Sequence, residues 1–238
     1  MTEVVNLIPL EVCIDAATAT QAAHAAYNGG AARIELCGQM SFDGLTPSLE
    51  AIEQARQAFA RPGLMVMIRP RAGNFTYTNH EQQQMLKSIT DAHTAGADGV
   101  VLGVLQGDVV NVEATQALTQ HAKSLGLSVT FHRAFDAVSD RVNALEQLIE
   151  LGVDRVLSSG TAWGSGEPAT EGLSVLQDLL AQAAGRIEVV VGGGIWQGNL
   201  EPILTALDGY DNMSIHVYSG VQEDGITCAQ LVRNLYLT

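Results

Sequence analysis

Two cysteines stand in the same local pattern, each two positions beyond a glutamate inside a short apolar run: Cys13 in 11-EVCID-15 and Cys37 in 33-RIELCG-38. If the two runs are neighbouring parallel strands they lie about 4.8 Å apart, and two thiolates at similar heights can converge on one soft ion. Cu(I) suits so sparse a sulfur site. Structural zinc asks for four ligands, which the chain does not supply as a cluster. The competing reading is plain burial, because a free cysteine is among the residues most often found in a core.

A second group of polar residues falls at the ends of other apolar runs: Arg69 and Arg71, then His132, Arg133 and Asp136, then Ser158-Ser159-Gly160, Gly192-Gly193-Gly194, and His216 with Ser219-Gly220. Glu35, His132 and Asp136 are of the types that move protons in catalysis. Arg69, Arg71, Arg133, Ser159 and His216, with the N–H groups of Gly192, Gly193 and Gly194, are of the types that hold a phosphate or a carboxylate. Isolated charges in apolar strands are costly to bury, so mutual pairing is expected: Glu35 with Arg69 or Arg71, and His132 with a carboxylate. The alternative for the charges is a purely stabilising ion layer, and for the glycines a tight turn. The segments 38-GQMSFDGLTPSL-49 and 70-PRAGNFTYTN-79 are long and carry Phe42, Phe75 and Tyr77. They are natural lids over such a site, unless these aromatics pack on their own helices.

The elements that must position these residues are legible as eight β-branched apolar runs: 10-LEVCID-15, 33-RIELCG-38, 64-LMVMIRP-70, 99-GVVLGVL-105, 128-SVTFHRAF-135, 155-RVLSSG-160, 188-EVVVGGGI-195 and 214-SIHVYSG-220. Continuous apolar character, rather than strict alternation, marks strands covered on both faces. Between them lie segments of helical length, among them 48-SLEAIEQARQAFA-60, 79-NHEQQQMLKSITDAHTAG-96, 141-RVNALEQLIELG-152 and 171-EGLSVLQDLLAQAAG-185. Thr78 followed by Glu81 predicts a capping box, Pro47 a helix entry, and Gly96, Gly126, Gly152 and Gly185 left-handed helix ends. The stretches GGAARIEL, AGADGVVL, LGVDRVL and LDGYDNMSI repeat one helix-to-strand passage. Eight such units in 238 residues predict one α/β domain over residues 1–238, a TIM-type (β/α)₈ barrel. The alternative, an open doubly wound sheet, lacks its GxGxxG after the first strand. In a barrel the residues above gather at the C-terminal ends of the strands, where function sits.

Composition narrows the partners. The chain is 47% apolar and carries a net charge of −14, with only two lysines, Lys87 and Lys123. Nucleic acid and anionic membranes, which need clustered cations, are therefore excluded as expected partners. The start MTEVVNLIPL lacks the basic region of a signal peptide, and no run of about 18 apolar residues predicts a membrane span. Three cysteines make no disulfide framework, which points to free thiols in the cytoplasm.

The stretches 11-EVCID-15, 33-RIELCG-38, 44-GLTPS-48, 67-MIRPRAGNFTYT-78, 130-TFHRAFD-136, 156-VLSSG-160 and 192-GGGI-195, in this order, resemble the CutC family over roughly residues 9 to 220. The resemblance implies a TIM-type barrel, a cytoplasmic location and a role in copper homeostasis. It also implies Cu(I) ligation by cysteines of the first two strands, which match Cys13 and Cys37. A barrel mouth holding Glu, His and several Arg supports a different expectation, an enzyme acting on a small anionic metabolite, phosphorylated or carboxylated. A scaffold or regulatory barrel is the third. The expected partner is thus copper or a small anionic ligand, and a homo-oligomer is compatible with either.

Overall fold

The computed structural model describes residues 8–236 and is a closed barrel of eight parallel strands in sequence order. The strands are β1 (Leu10–Asp15), β2 (Arg33–Cys37), β3 (Leu64–Met67), β4 (Gly99–Leu102), β5 (Ser128–Phe131), β6 (Arg155–Ser158), β7 (Glu188–Val191) and β8 (Met213–Val217). β8 returns to pair with β1, Glu11 standing opposite His216 and Val12 opposite Val217. The helices are α1 (Ala19–Gly29), α2 (Leu49–Ala58), α3 (Asn79–Thr94), α4 (Val112–Ser124), α5 (Arg141–Glu150), α6 (Leu173–Ala183), α7 (Gln197–Ala206) and α8 (Ala229–Asn234). Two short hairpins, Leu105–Gln106 with Val109–Val110 and Gln222–Glu223 with Ile226–Thr227, decorate the loops after β4 and β8. The chain therefore forms the single TIM-type barrel its strand and helix pattern predicts. No helix among the described residues is long and apolar enough to cross a membrane.

The local signals act as expected. Thr78 caps α3 in a reciprocal capping box with Glu81. Gly96, Gly126, Gly152 and Gly185 all adopt positive φ, between 73° and 92°, a conformation that only glycine takes at no steric cost. At α2 it is Ser48, not Pro47, that caps the helix, its hydroxyl accepting from the Ala51 N–H.

Alternation along each strand splits the sheet into two faces. The outward face (Val12, Ile14, Ile34, Leu36, Val66, Val129 and Val189 among others) is fully buried under the helices, each aliphatic side chain contributing about 1.5–3 kcal/mol. The inward face mixes polar, sulfur and apolar side chains, and its lower part is a ring of charge. Arg33 donates to Glu11 (2.9 Å), Glu188 (2.7 Å) and the Ser214 hydroxyl (2.7 Å), and Arg155 reaches Glu188 (3.2 Å) and Ser128 (3.2 Å). Two arginines and two carboxylates thus neutralise one another inside the barrel, which meets the steep cost of burying any one of them alone.

Candidate functional site

Above the ring, β1, β2 and β8 bring three different side chains to one point. Cys13 and Glu35 are partners in the β1–β2 register, and His216 comes from β8 across the closure of the barrel. The Cys13 sulfur, a Glu35 oxygen and a His216 nitrogen lie within 4.8 Å of one another. Cys37, two positions past Glu35 and on the same face, places its Sγ 3.8 Å from that of Cys13. Met65, Met67 and Val101 complete a buried cluster around the two thiols, with Met40 packed against it from the loop after β2. The result is a pair of thiols among three thioethers.

His216 is held between two carboxylates, Nδ1 at 2.9 Å from Glu11 and Nε2 at 3.6 Å from Glu35. Burial opposes a charge on His216, but Glu35, Cys13 and Glu11 together outweigh it and push the imidazole pKa well above its ordinary value. Burial likewise opposes ionisation of Glu11, yet the hydrogen bond from His216 and the charge of Arg33 bring its pKa down to about 2. Glu35 moves the other way, because burial and the neighbouring Glu11 prevail over the attraction of His216. For Cys13 the hydrogen bond to Cys37, burial and the adjacent Glu35 all favour the protonated thiol. Cys37 gains acidity from its bond with Cys13, but burial and Glu35 leave its pKa at about 11. Both sulfurs are thiols at neutral pH.

This cluster forms one wall of a cavity of about 270 Å³ that opens at the C-terminal ends of the strands; the opposite wall carries Phe75, His132, Arg133 and Trp163. His132 is 4% exposed, and its Nδ1 accepts from the Ala134 N–H at 3.1 Å. Burial and the Arg69 charge hold its pKa near 3, so the ring is neutral. Arg133 donates to Asp136 (2.7 Å) and Ser159 (2.6 Å) and lies over the Trp163 ring at 5.5 Å. Asp136 is buried and saturated, accepting also from Ser158 (2.5 Å) and from the Ser159 N–H (3.1 Å).

The structure corrects the expected pairings. β3 ends at Met67, so Arg69 and Arg71 lie beyond the sheet, where strand alternation no longer aims a side chain. Arg69 is buried but points into backbone: its terminal nitrogens donate to the carbonyls of Phe42, Asp43, Gly44 and Gly73, tying the loops after β2 and β3 together. Arg71 pairs with Glu81 at 2.6 Å and donates to the carbonyls of Ala72, Asn74 and Thr76. Glu35 therefore has neither arginine and faces His216 instead, and His132 meets no carboxylate. Gly193 and Gly194, at φ 118° and 66°, border an adjoining cleft shared with Arg133 and Trp163, while Gly192 packs beneath them on Leu157 and His216. Of the loop aromatics, Phe75 and Tyr77 are buried and Phe42 is 52% exposed.

Sequence reasoning missed Met40, Met65, Met67 and Trp163, together with the ring of Arg33, Arg155 and Glu188. A period-two reading was available for part of this: 11-EVC-13, 33-RIELC-37, 65-MVM-67 and 214-SIH-216 each alternate polar or sulfur residues with aliphatics. That alternation places Glu11, Cys13, Arg33, Glu35, Cys37, Met65, Met67 and His216 on one face.

Comparison with known proteins agrees with this architecture. A sequence model described as the CutC family matches residues 8–216. A CutC family protein of Vibrio parahaemolyticus is 44% identical over 197 residues, which cover 82% of this chain and 76% of the relative. The mouse protein named copper homeostasis protein cutC homolog is 43% identical over 195 residues, 82% of this chain and 68% of its own. A solved structure of CutC from Streptococcus agalactiae superposes with a TM-score of 0.78 at 32% identity, covering 88% of this chain and 98% of the other.

Proposed function

The chain belongs to the CutC copper homeostasis family, and from that premise we propose that it takes Cu(I) as cargo at the floor of the barrel mouth, with Cys13 and Cys37 as thiolate ligands. The observation that carries this reading is the pair of sulfurs 3.8 Å apart, ringed by methionines in a buried pocket. Thiolate and thioether together form a donor set that selects Cu(I) over harder ions.

Metal–sulfur bonds of about 2.3 Å on either side of a linear ion need sulfurs about 4.6 Å apart. The observed 3.8 Å gap is shorter, which calls for a bent arrangement and a third donor. Met40 and Met67 both border the cavity, and a thioether joins without adding charge. Two thiolates and one Cu(I) leave a single negative charge, which the imidazolium of His216 balances while Glu11 stays paired with Arg33. His216 thus serves as a charged hydrogen-bond donor to sulfur. Reduced thiols and this use of copper fit a cytoplasmic location.

The test is an anaerobic titration of the reduced protein against a chromophoric Cu(I) chelator, beside Cys13→Ser and Cys37→Ser. One copper per chain withheld from the chelator, and released to it by either substitution, is the expected result. A wild-type chain that does not compete with the chelator would remove direct copper handling from consideration.

A further inference from the structure

Copper accounts for one wall of the cavity and leaves the other unexplained. His132 stands just past the end of β5 with its ring fixed on several sides. Phe75 lies at 5.0 Å between centroids and Phe131 at 6.1 Å. Gly103 lies so close that a Cβ there would come within 2.5 Å of the ring carbon Cε1. Because Nδ1 accepts from the Ala134 N–H, it carries no proton, and the neutral ring bears its proton on Nε2. That Nε2–H is buried and has no hydrogen-bond partner among the described residues, although His132 borders the cavity. An unmet buried donor is costly, and nothing in the copper site recovers it.

The next residue offers a second donor. Arg133 engages Asp136 through Nε and Ser159 through Nη2, which leaves Nη1 without a hydrogen bond among the described residues. Its guanidinium stacks on Trp163, and Trp163 meets Phe75 edge-on at 5.1 Å, so that the two free donors stand beside an aromatic wall. Charge narrows the ligand further. Arg133 is already neutralised by Asp136, Arg69 is turned into backbone carbonyls, and the acidic Glu35 and Asp43 border the same cavity. Arg69, whose guanidinium meets only backbone carbonyls, carries a charge that no carboxylate neutralises among the described residues, which suits a monoanion better than a dianion, and a planar monoanion with two oxygens matches two donors. A cavity of about 270 Å³ also sits at the small end of ligand pockets.

We propose that this wall is a second binding site, for a small planar monocarboxylate. Its oxygens accept from His132 Nε2–H and Arg133 Nη1, and its apolar body lies against Phe75 and Trp163. The site is independent of the copper reading, since it uses neither cysteine.

Benzoate serves as the probe, with inorganic phosphate as the contrast, on the reduced, metal-free full chain. Histidine side-chain ¹H–¹⁵N spectra are expected to show an Nε2–H signal of His132 that moves on addition of benzoate and stays in place with phosphate. His132→Leu should weaken benzoate by about tenfold or more, as loss of a hydrogen bond to a charged group does. His132→Gln, whose amide N–H replaces the donor, should stay within about threefold of the parent. A His132 signal unmoved by benzoate would overturn the proposal, and that reading needs no variant to fold. Equal affinity of a folded His132→Leu chain, or displacement of benzoate by phosphate, would overturn it as well. Cu(I) titration of His132→Leu should match the parent, which separates failure of this site from failure of the copper site.

Discussion

Replacing Arg33 by methionine removes the cation that two interior carboxylates share. Arg33 is 12% exposed at its side chain and Glu11 only 1%, so water cannot substitute for the lost guanidinium. Removing one partner of a buried pair costs about 3–5 kcal/mol. Glu11 keeps His216 at 2.9 Å and Glu188 keeps Arg155 at 3.2 Å, which places Arg33→Met at the lower end, about 3 kcal/mol. The Glu11 pKa falls from 4.5 to about 2 on folding, through the hydrogen bond from His216 first and the charge of Arg33 second. A depressed carboxylate pKa stabilises the fold above pH 4.5, and that stabilisation is lost as pH falls through 2. For a chain of this length the loss lowers Tm by about 6–12 °C at pH 7. Without Arg33 the Glu11 pKa returns upward, so protonation relieves the variant first and the gap between variant and parent narrows below about pH 4.5. Thermal and urea unfolding of both chains at pH 7 and pH 4 read Tm and the free-energy gap, and Arg33→Met/Glu11→Gln should recover about half of the pH 7 loss. A Tm change under about 2 °C at pH 7, or a gap that widens on acidification, would refute this account of the interior ring.

Two further predictions concern the cavity. Because both thiols are protonated in the metal-free protein, Cu(I) binding at pH 7 should release about two protons, measured by calorimetry in buffers of different ionisation enthalpy. Three protons would make His216 a ligand in place of a thioether, and none would contradict thiolate binding. His132 titrates near pH 3 in the folded protein, whereas in the unfolded chain it takes its proton near the ordinary 6.5. The unfolded state therefore binds the extra proton between those values, and stability drops as pH falls from 6.5 to 3 by several kcal/mol. His132→Gln should flatten that part of the stability profile in urea melts, and an unchanged acid slope would show that His132 does not carry it.

The barrel was legible because its signals are local. Each strand is a short run such as 188-EVVV-191, and helices α2 to α5 carry their own side-chain caps. Proximity of Cys13 and Cys37 was legible too, since consecutive units of a parallel barrel pair side by side. What escaped depends on closure and on where strands stop. Glu11 meets His216 only because β8 folds back against β1, and no window of sequence contains both. Arg69 and Arg71 look like strand residues, but β3 ends two residues before Arg69, so their direction comes from loop carbonyls and Glu81. Met65 and Met67 read as ordinary core until the register shows that they face inward, beside two thiols.

The closure of β8 on β1 also sets a schedule for the newborn chain. His216 and Glu11 are separated by 205 positions, and at about 5–20 residues per second a ribosome needs roughly 10–40 s to cover that span. Throughout that interval Cys13 and Cys37 have been synthesised without His216 beside them and without the completed wall that shields them. The mature pocket exists only once the last strand has docked, so a chain cut off before β8 carries both cysteines but not the pocket.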